Sequence, residues 1–219
     1  MGNIVVFDLD GTLVDSMGDI HVAVNRMLDI ERCELISLER LTSFVGNGLP
    51  TLIKLVMQEY CLPETEYQRL HDMVLGFYET MPVEQSKCYP GVLAALDELR
   101  AQGVRLGLCT NKPHGAAVHL LEALELADHF EVILGGDSLA ERKPHAMPLL
   151  HCIDALGSGA VLYVGDSEVD AATAVNAKVD FALFTEGYRK SPAKDIPHKV
   201  LFADFAELPE IVRCNFEGD

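Results

Sequence analysis

Five short, largely apolar runs have the length of a β-strand, and stretches with helical periodicity lie between most of them. The runs are Ile4–Phe7, Val104–Cys109, Glu131–Leu134, Ala160–Val164 and Phe181–Phe184. The helical stretches are Gly91–Ala101, Gly115–Leu124, His145–Leu156 and Ser167–Ala177. Apolar residues at consecutive positions favour strands that are covered on both faces. The alternation predicts the α/β class, with a Rossmann-like, doubly wound parallel sheet whose ligands bind beyond the C-terminal strand ends.

The interval from Ser16 to Glu79 breaks this alternation, because the pattern there is helical throughout. Apolar residues recur at helical spacing, namely Ile20, Val24, Met27 and Leu28, and later Leu52, Ile53, Val56 and Met57. We therefore predict a small helical bundle inserted after the first strand, with linkers over Leu13–Ser16 and Met81–Pro90. The predicted core is residues 1–15 and 86–219, and residues 16–85 form the insertion with its linkers.

The chain has 219 residues, of which 49% are hydrophobic and 23% charged, as is typical of a folded globular protein. Lys and Arg number 17 against 34 Asp and Glu, so the formal net charge is −17. Such a surface repels polyanions, so we expect neither a nucleic acid nor a membrane surface as a partner. An anionic substrate therefore needs positive charge inside the site itself.

The six cysteines are scattered and form no C-x-x-C pair, which favours a reducing compartment. The sequence begins without the pattern of a signal peptide and holds no apolar stretch near the roughly 20 residues of a transmembrane helix. We therefore expect a cytoplasmic protein.

Two carboxylates follow the first predicted strand, in the segment Phe7-Asp8-Leu9-Asp10-Gly11-Thr12. Residues i and i+2 of an extended segment point the same way, about 7 Å apart along the chain, so Asp8 and Asp10 can flank one small group. Gly11 then permits a sharp turn of the backbone. The alternative is an Asp-Gly turn whose acids cap a helix.

Polar residues also follow the second and third predicted strands. Thr110 and Asn111 precede a helix whose first turn holds Pro113, and they fit either an anion cradle or a simple N-cap. Lys143 is either a solvated lysine or a cation of the same site.

The fourth predicted strand leads into Gly165-Asp166-Ser167-Glu168-Val169-Asp170. Gly165 permits close approach of the backbone, and Asp170 lies one helical turn beyond Asp166 on the same side. Clustered carboxylate oxygens suit Mg²⁺, although a strand-to-helix cap explains the same residues.

Taken together, the four groups favour one functional site over independent helix caps, because all follow strands of one predicted sheet and converge on one crevice. Together they supply a nucleophile, an acid/base, a hydroxyl and a cation for phosphoryl oxygens, and metal ligands. This set predicts phosphoryl transfer from a small phosphorylated metabolite.

In order, these segments resemble the four motifs of the haloacid dehalogenase superfamily of phosphohydrolases, and the resemblance covers nearly the whole chain. Other segments are similar to bacterial phosphoglycolate phosphatases: Ala23-Val24-Asn25, Val45-Gly46-Asn47-Gly48, Leu52-Ile53, Tyr89-Pro90-Gly91, Gly135-Gly136-Asp137-Ser138 and Gly187-Tyr188-Arg189. The resemblance implies Mg²⁺-dependent hydrolysis of 2-phosphoglycolate to glycolate and phosphate. We expect a monomer or a homodimer.

The resemblance also implies roles for individual residues. Asp8 attacks phosphorus and forms an aspartyl-phosphate, while Asp10 protonates the leaving alcohol and then activates water. Thr110, Asn111 and Lys143 hold the phosphoryl oxygens. Asp8, the Asp10 backbone carbonyl and Asp166 bind Mg²⁺, and Thr12, Gly165 and Asp170 support the site.

The helical insertion corresponds to the mobile cap domain of the family, which closes over the site. Gly46-Asn47-Gly48 is its expected substrate loop, because backbone N–H groups in a Gly-rich turn can hold a small carboxylate. The alternative is that these glycines only end one helix and start the next.

Three positions depart from the family pattern: Glu125 and Lys178 replace helix-ending glycines, and Ala146 replaces a proline. A non-glycine residue in a left-handed cap costs about 1 kcal/mol, so we expect the turns at Glu125 and Lys178 to differ locally.

Several other functions remain open. Sugar phosphates and pyrophosphate are the nearest rival substrates, and a phosphomutase shares Asp8 and Asp10, although the spacing from Asp166 to Asp170 favours a phosphatase. A dehalogenase or phosphonatase lacks the second acid that Asp10 supplies. A receiver-like signalling domain is about half as long, and a catalytically inactive binding protein predicts a lost motif residue.

Overall fold

A six-stranded parallel sheet forms the centre of the computed structural model, which describes residues 2–217. In chain order the strands are β1 (Ile4–Phe7), β2 (Val14–Asp15), β3 (Lys87–Cys88), β4 (Arg105–Cys109), β5 (Val132–Leu134), β6 (Val161–Gly165), β7 (Asp180–Phe184) and β8 (Val200–Phe202). The order across the sheet is β5-β4-β1-β6-β7-β8, and each neighbouring pair is parallel. Strand β1 is central, with Ile4 opposite both Arg105 and Val161.

Helices follow the strands and cover both faces of the sheet. In chain order they are α1 (Met17–Ile30), α2 (Leu38–Thr42), α3 (Leu49–Glu59), α4 (Tyr67–Thr80), α5 (Val92–Ala101), α6 (His114–Ala123), α7 (Ala146–Leu156), α8 (Glu168–Ala177) and α9 (Leu208–Glu217). Val5 and Phe7 of β1 pack in a cluster with α5, α6 and α9, whereas Ile4 and Val6 pack with α7 and α8. Because alternate residues of a strand face opposite sides, this burial explains the continuous apolar run in β1.

Helices α1 to α4 form an α-helical cap domain that is inserted after the first strand of the sheet. Their buried residues make a cluster separate from the two sheet clusters, which includes Val24 and Leu28 of α1, Ile53 of α3 and Val74 of α4. The predicted fold class, an α/β core with a small helical insertion, is therefore confirmed. The exact bounds of the two domains stay a prediction, and their outermost residues Met1, Gly218 and Asp219 lie outside the described part of the chain.

Strands β2 and β3, which sequence analysis missed, pair antiparallel at the base of the insertion, with Val14 opposite Cys88 and Asp15 opposite Lys87. They join the two linkers where the chain leaves and re-enters the core. Strand β8 and helix α9 were also missed.

The turns at Glu125 and Lys178 do not differ as expected, because both residues adopt the left-handed conformation with φ of 58°. The helix-ending geometry is therefore kept despite the steric cost of a Cβ atom. Over residues 2–217, no helix combines the length and the apolar character that crossing a bilayer requires.

Candidate active site

A cavity of about 330 Å³ lies between the C-terminal edge of the sheet and the cap domain. Its walls include eight of the predicted site residues: Asp8, Asp10, Gly46, Asn47, Gly48, Thr110, Asn111 and Asp166. The adjacent strands β4, β1 and β6 bring the first, second and fourth motifs together, as parallel topology requires. The other four predicted residues do not line this cavity. Thr12 and Lys143 contact the lining residues Asp166 and Asp8, Asp170 contacts Lys143, and Gly165 lies against Asp170.

Asp8 follows β1 directly and is buried, with 7% of its surface exposed. Its Oδ1 atom lies 2.8 Å from Nζ of Lys143. Burial, reinforced by the negative charge of Asp170, raises the pKa of Asp8 to about 7 against the opposing effect of Lys143. The Asp8 carboxylate is therefore short of positive charge, although one buried ammonium contacts it.

Lys143 is held by groups behind the cavity. Its Nζ atom lies 2.7 Å from Oδ1 of Asp170 and donates a hydrogen bond of 3.0 Å to the hydroxyl of Tyr163. Burial opposes the charge of Lys143, yet the two neighbouring carboxylates hold its pKa above the usual value. Lys143 therefore remains an ammonium group directed at Asp8.

The carboxylate of Asp170 is fully engaged. Its Oδ1 accepts hydrogen bonds from Lys143 and Tyr163, and its Oδ2 accepts from both the backbone N–H and the hydroxyl of Ser167. The Ser167 hydroxyl in turn accepts from the Asp170 N–H, which completes a capping box at the start of α8. Asp170 thus caps its helix and positions Lys143 at the same time. A Cβ atom at Gly165 would lie 2.5 Å from Cβ of Asp170, so only glycine permits this approach.

Asp166 at the end of β6 is oriented from both sides. Thr12 donates its hydroxyl to Oδ1 at 2.9 Å, and the backbone N–H of Tyr188 donates to Oδ2 at 2.6 Å. Burial, with the negative charges of Asp170 and Asp8, raises the pKa of Asp166 well above its usual value. Gly11, with φ of 85°, turns the chain close against this carboxylate.

Asp8, Asp166 and Asp170 form a buried acidic cluster whose nearest oxygens all lie within 4.8 Å of one another. When ionised, the three carboxylates carry −3, and Lys143 supplies +1, which leaves −2 in a buried space. A divalent cation with a preference for oxygen ligands balances this excess. Because Asp170 is committed to Lys143 and Ser167, the carboxylates with capacity for a metal are Asp8 and Asp166.

Asp10 also lines the cavity and contacts two residues to which sequence analysis gave no role. Its Oδ1 accepts hydrogen bonds from the hydroxyl of Ser16 at 2.6 Å and from Nζ of Lys112 at 3.1 Å. Lys112 is 8% exposed, and its position beside Thr110 and Asn111 is the sequence signal that points to it. Lys112 is therefore a second buried cation at the site, in addition to Lys143.

Thr110 and Asn111 do not cap α6, since Asp137 accepts the His114 N–H at 2.7 Å instead. The Asn111 amide group donates to the Lys143 carbonyl at 3.0 Å and to the Gly46 carbonyl at 3.3 Å. Both amide hydrogens are thereby occupied, so Asn111 joins the cap loop to the core. The Thr110 hydroxyl accepts the Lys112 N–H, which leaves its own hydrogen for a ligand.

Gly46, Asn47 and Gly48 line the cavity, and Gly48 is also the N-cap residue of α3. Gly46 and Gly48 have φ of 122° and 78°. A Cβ atom at Gly48 would lie 2.7 Å from the Asn111 carbonyl oxygen, so the loop is pressed against the second motif.

Tyr188 ties the site to the base of the cap. Its hydroxyl donates to Asp15 and accepts from the N–H groups of Ser16 and Met17 at the start of α1. Sequence analysis quoted Tyr188 within a similar segment but gave it no role.

Comparisons with known proteins agree on one family. A model described as haloacid dehalogenase-like hydrolase matches residues 5–184. A phosphoglycolate phosphatase of Cereibacter sphaeroides (strain ATCC 17025 / ATH 2.4.3) is 49% identical over 213 residues, covering 95% of this chain and 97% of that protein. A phosphoglycolate phosphatase of Rhodobacter capsulatus is 39% identical, with 97% of both chains covered.

Among solved structures, the crystal structure of a predicted phosphoglycolate phosphatase from Haemophilus somnus 129pt has a TM-score of 0.90 at 30% identity. The match covers 96% of this chain and 97% of that one. The agreement therefore extends over the sheet, the cap and the motifs. The chain belongs to the family of haloacid dehalogenase-like hydrolases.

Proposed function

We propose that the protein is a Mg²⁺-dependent phosphomonoester hydrolase that acts through an aspartyl-phosphate on Asp8. The observation that carries the proposal is the environment of Asp8, a buried carboxylate that lines the cavity, with Lys143 at 2.8 Å and Asp10 lining the same cavity. A nucleophile, a phosphoryl-binding cation and a second acid within one cavity are the components that phosphate ester hydrolysis needs.

In the first step, Asp8 attacks phosphorus in line and the ester bond to the alcohol breaks, with Asp10 giving its proton to the leaving oxygen. In the second step, Asp10 removes a proton from water, which attacks the aspartyl-phosphate and releases phosphate. Lys143, the Thr110 hydroxyl and the backbone N–H of Asn111 stabilise the phosphoryl oxygens. Thr12 and Gly165 keep Asp166 and Asp170 in place.

We assign the metal to Asp8, Asp166 and the backbone carbonyl of Asp10. When bound, Mg²⁺ neutralises charge on the phosphoryl oxygens and holds them beside the nucleophile. The support for Mg²⁺ is the excess of negative charge among buried oxygen donors, with Asp170 orienting Lys143 from behind.

The proposed substrate is 2-phosphoglycolate, which is hydrolysed to glycolate and phosphate. The similarity to phosphoglycolate phosphatases at 49% and 39% identity supports it. The cavity of about 330 Å³ is large enough for a molecule of this size. Residues 16–85 act as the cap that excludes water, and the Gly46-Asn47-Gly48 loop faces the substrate.

The first experiment measures phosphate release with Mg²⁺ or EDTA on 2-phosphoglycolate, ethyl phosphate, sugar phosphates and pyrophosphate. We expect a Mg²⁺-dependent kcat/KM at least about 100-fold higher for 2-phosphoglycolate than for the others. A higher value for a sugar phosphate or for pyrophosphate overturns the substrate. Release that EDTA leaves unchanged overturns the role of the metal.

The nucleophile is tested by Asp8→Asn, which we expect to lower kcat by roughly 10⁴-fold or more because no aspartyl-phosphate can form. The matched control is Asp154→Asn, which changes an exposed carboxylate on α7. Circular dichroism checks that both variants fold. A well-folded Asp8→Asn variant with substantial turnover contradicts the covalent mechanism.

The cysteines are present as free thiols, which fits a reducing compartment, so we place the enzyme in the cytoplasm. Size-exclusion chromatography with light scattering decides between a monomer and a homodimer.

A further inference from the structure

Tyr78, on the last turn of α4, carries a polar atom that the protein itself does not satisfy. Its side chain lines the cavity, yet its hydroxyl oxygen is inaccessible and has no hydrogen-bond partner among residues 2–217. Buried hydroxyl groups are almost always hydrogen-bonded, because leaving one unpaired costs free energy. An unpaired phenol on the wall of an active-site cavity is therefore matched to an acceptor on a ligand.

The charges around Tyr78 indicate which kind of acceptor. Nζ of Lys112 lies 5.0 Å from the centre of the Tyr78 ring and 3.1 Å from Oδ1 of Asp10. Lys112 therefore stands between the cap tyrosine and the general acid. Burial, with the negative charge of Asp10, raises the pKa of Tyr78, so its hydroxyl remains a neutral donor. A neutral donor beside a cation favours an anionic oxygen.

The other side chains of the cap wall offer little to an anion. The described cap residues that line the cavity are Ile20, Val45, Gly46, Asn47, Gly48, Leu49, Leu52 and Tyr78. In this set only Asn47 and Tyr78 have polar side chains, and none carries a positive charge. Lys190, on the core side, lines the cavity but is exposed, so solvent screens its charge.

The size of the proposed leaving group fixes where its acidic end lies. The ester oxygen must be next to Asp10 to receive a proton, and in glycolate a single methylene separates that oxygen from the carboxylate. The carboxylate then lies within a few ångströms of Asp10, among the groups that surround this residue. Asp10 contacts Lys112 and Ser16, and Lys112 in turn contacts the ring of Tyr78, which also lines the cavity.

We propose that Tyr78 and Lys112 bind the carboxylate of the leaving group and so set the preference for an acidic substrate. The inference rests on the proposed function, because it assumes a phosphomonoester with a carboxylate close to the ester oxygen. The Tyr78 hydroxyl donates one hydrogen bond, and Lys112 supplies the positive charge. Tyr78 belongs to the cap, so this contact forms only when the cap covers the site.

The test compares kcat/KM for 2-phosphoglycolate with kcat/KM for ethyl phosphate, which has the same length but no carboxylate. For Tyr78→Phe we expect the ratio of the two values to fall at least about tenfold, the loss of one hydrogen bond to a charged group. The matched control is Tyr67→Phe, because Tyr67 lies on the same helix with Lys54 Nζ 5.4 Å from its ring centre but away from the cavity. The control should keep the wild-type ratio.

Lys112→Met should lower the same ratio, and it should also slow both substrates because Lys112 contacts Asp10. A Tyr78→Phe variant that keeps the wild-type ratio overturns the inference while the proposed substrate stands. A wild-type enzyme with no preference for 2-phosphoglycolate over ethyl phosphate overturns the substrate and this inference together.

Discussion

The side chain of Lys143 is 2% exposed, and its ammonium group lies between Asp8 and Asp170. We therefore expect the loss of this group to affect folding as well as the proposed catalysis. A buried charge that loses its partner is costly, because neither water nor another group replaces the interaction. Lys143 is therefore expected to stabilise the site in addition to its proposed role as a ligand for phosphate.

Lys143→Met is expected to lower the free energy of unfolding by about 3–5 kcal/mol, since two buried carboxylates lose their shared cation. The control is Lys199→Met, which removes an exposed ion pair with Asp180 and should cost less than about 1 kcal/mol. Urea unfolding measures both variants. Equal decreases in the free energy of unfolding of the two variants would show that the buried ion pairs of Lys143 stabilise the fold no more than an exposed ion pair does.

At the residue scale, sequence analysis named the groups that carry the proposed chemistry and some of those that hold them. It gave no role to Ser16, Lys112 and Tyr188, which also contact the carboxylates of the site. Asp8, Asp10, Thr110 and Asp166 follow strands, and the rule for parallel sheets is sufficient to bring them together. Tyr78 gave no signal, because a tyrosine on an amphipathic helix looks like any other core residue. Only the packing of the cap against the core brings it to the cavity.

At the element scale, Asp19 of α1 clamps the linker that returns to the core. Its carboxylate accepts hydrogen bonds from the N–H groups of Gln85 and Ser86 and from the Ser86 hydroxyl. Burial opposes ionisation of Asp19, but the hydrogen bonds from Ser86 and its neighbours hold its pKa below the usual value. These hydrogen bonds fasten the helix to the linker.

Asp19→Ala is expected to lower the free energy of unfolding by about 1–2 kcal/mol at pH 7. Because the folded pKa is depressed, the stabilisation is complete above the unfolded pKa of about 3.9 and is lost as pH falls through the folded value. The difference between wild type and variant should therefore shrink in acid. Urea unfolding from pH 7 to pH 3 measures the trend, and Asp29→Ala on the exposed face of α1 is the control. A difference independent of pH would contradict the clamp.

Elements that pattern reasoning missed are short or lie at the edge of the fold. Strands β2 and β3 have two residues each, so no periodicity can reveal them. Strand β8, at the sheet edge, has three residues, among them the exposed Leu201, and does not resemble a buried run. The helical insertion was predictable because its apolar positions repeat over four helices.

At the scale of the whole molecule, the formal charge of −17 contrasts with the cations at the site. An acidic surface repels phosphate esters, whereas the buried cations Lys112 and Lys143 lie beside Asp10 and Asp8 and supply positive charge at the proposed site. The buried acidic cluster adds to the repulsion inside the folded protein, so a divalent cation should stabilise the folded state.

Mg²⁺ at 100 times its Kd is expected to raise the free energy of unfolding by about 2.7 kcal/mol, which corresponds to a Tm increase of roughly 5–10 °C. Asp166→Asn should remove most of the increase, because it deletes one of the two carboxylates with capacity for a metal. Thermal melts with and without Mg²⁺ measure the effect, and Asp154→Asn serves as the control. A full increase in Asp166→Asn would place the metal elsewhere.

The contacts of Tyr188 limit how freely the insertion can be exchanged for another. Helix α1 begins without a side-chain cap from Ser16, and its first N–H groups are accepted by the Tyr188 hydroxyl, while the Tyr188 backbone orients Asp166. Ser16 also donates to Asp10. A cap domain transplanted from a relative must therefore reproduce the contacts of Tyr188 and Ser16. Without them, the exchange would disturb Asp10 and Asp166 as well as change the specificity. The cap and the core domain of this enzyme have separate hydrophobic clusters, but they depend on the same residues where they join.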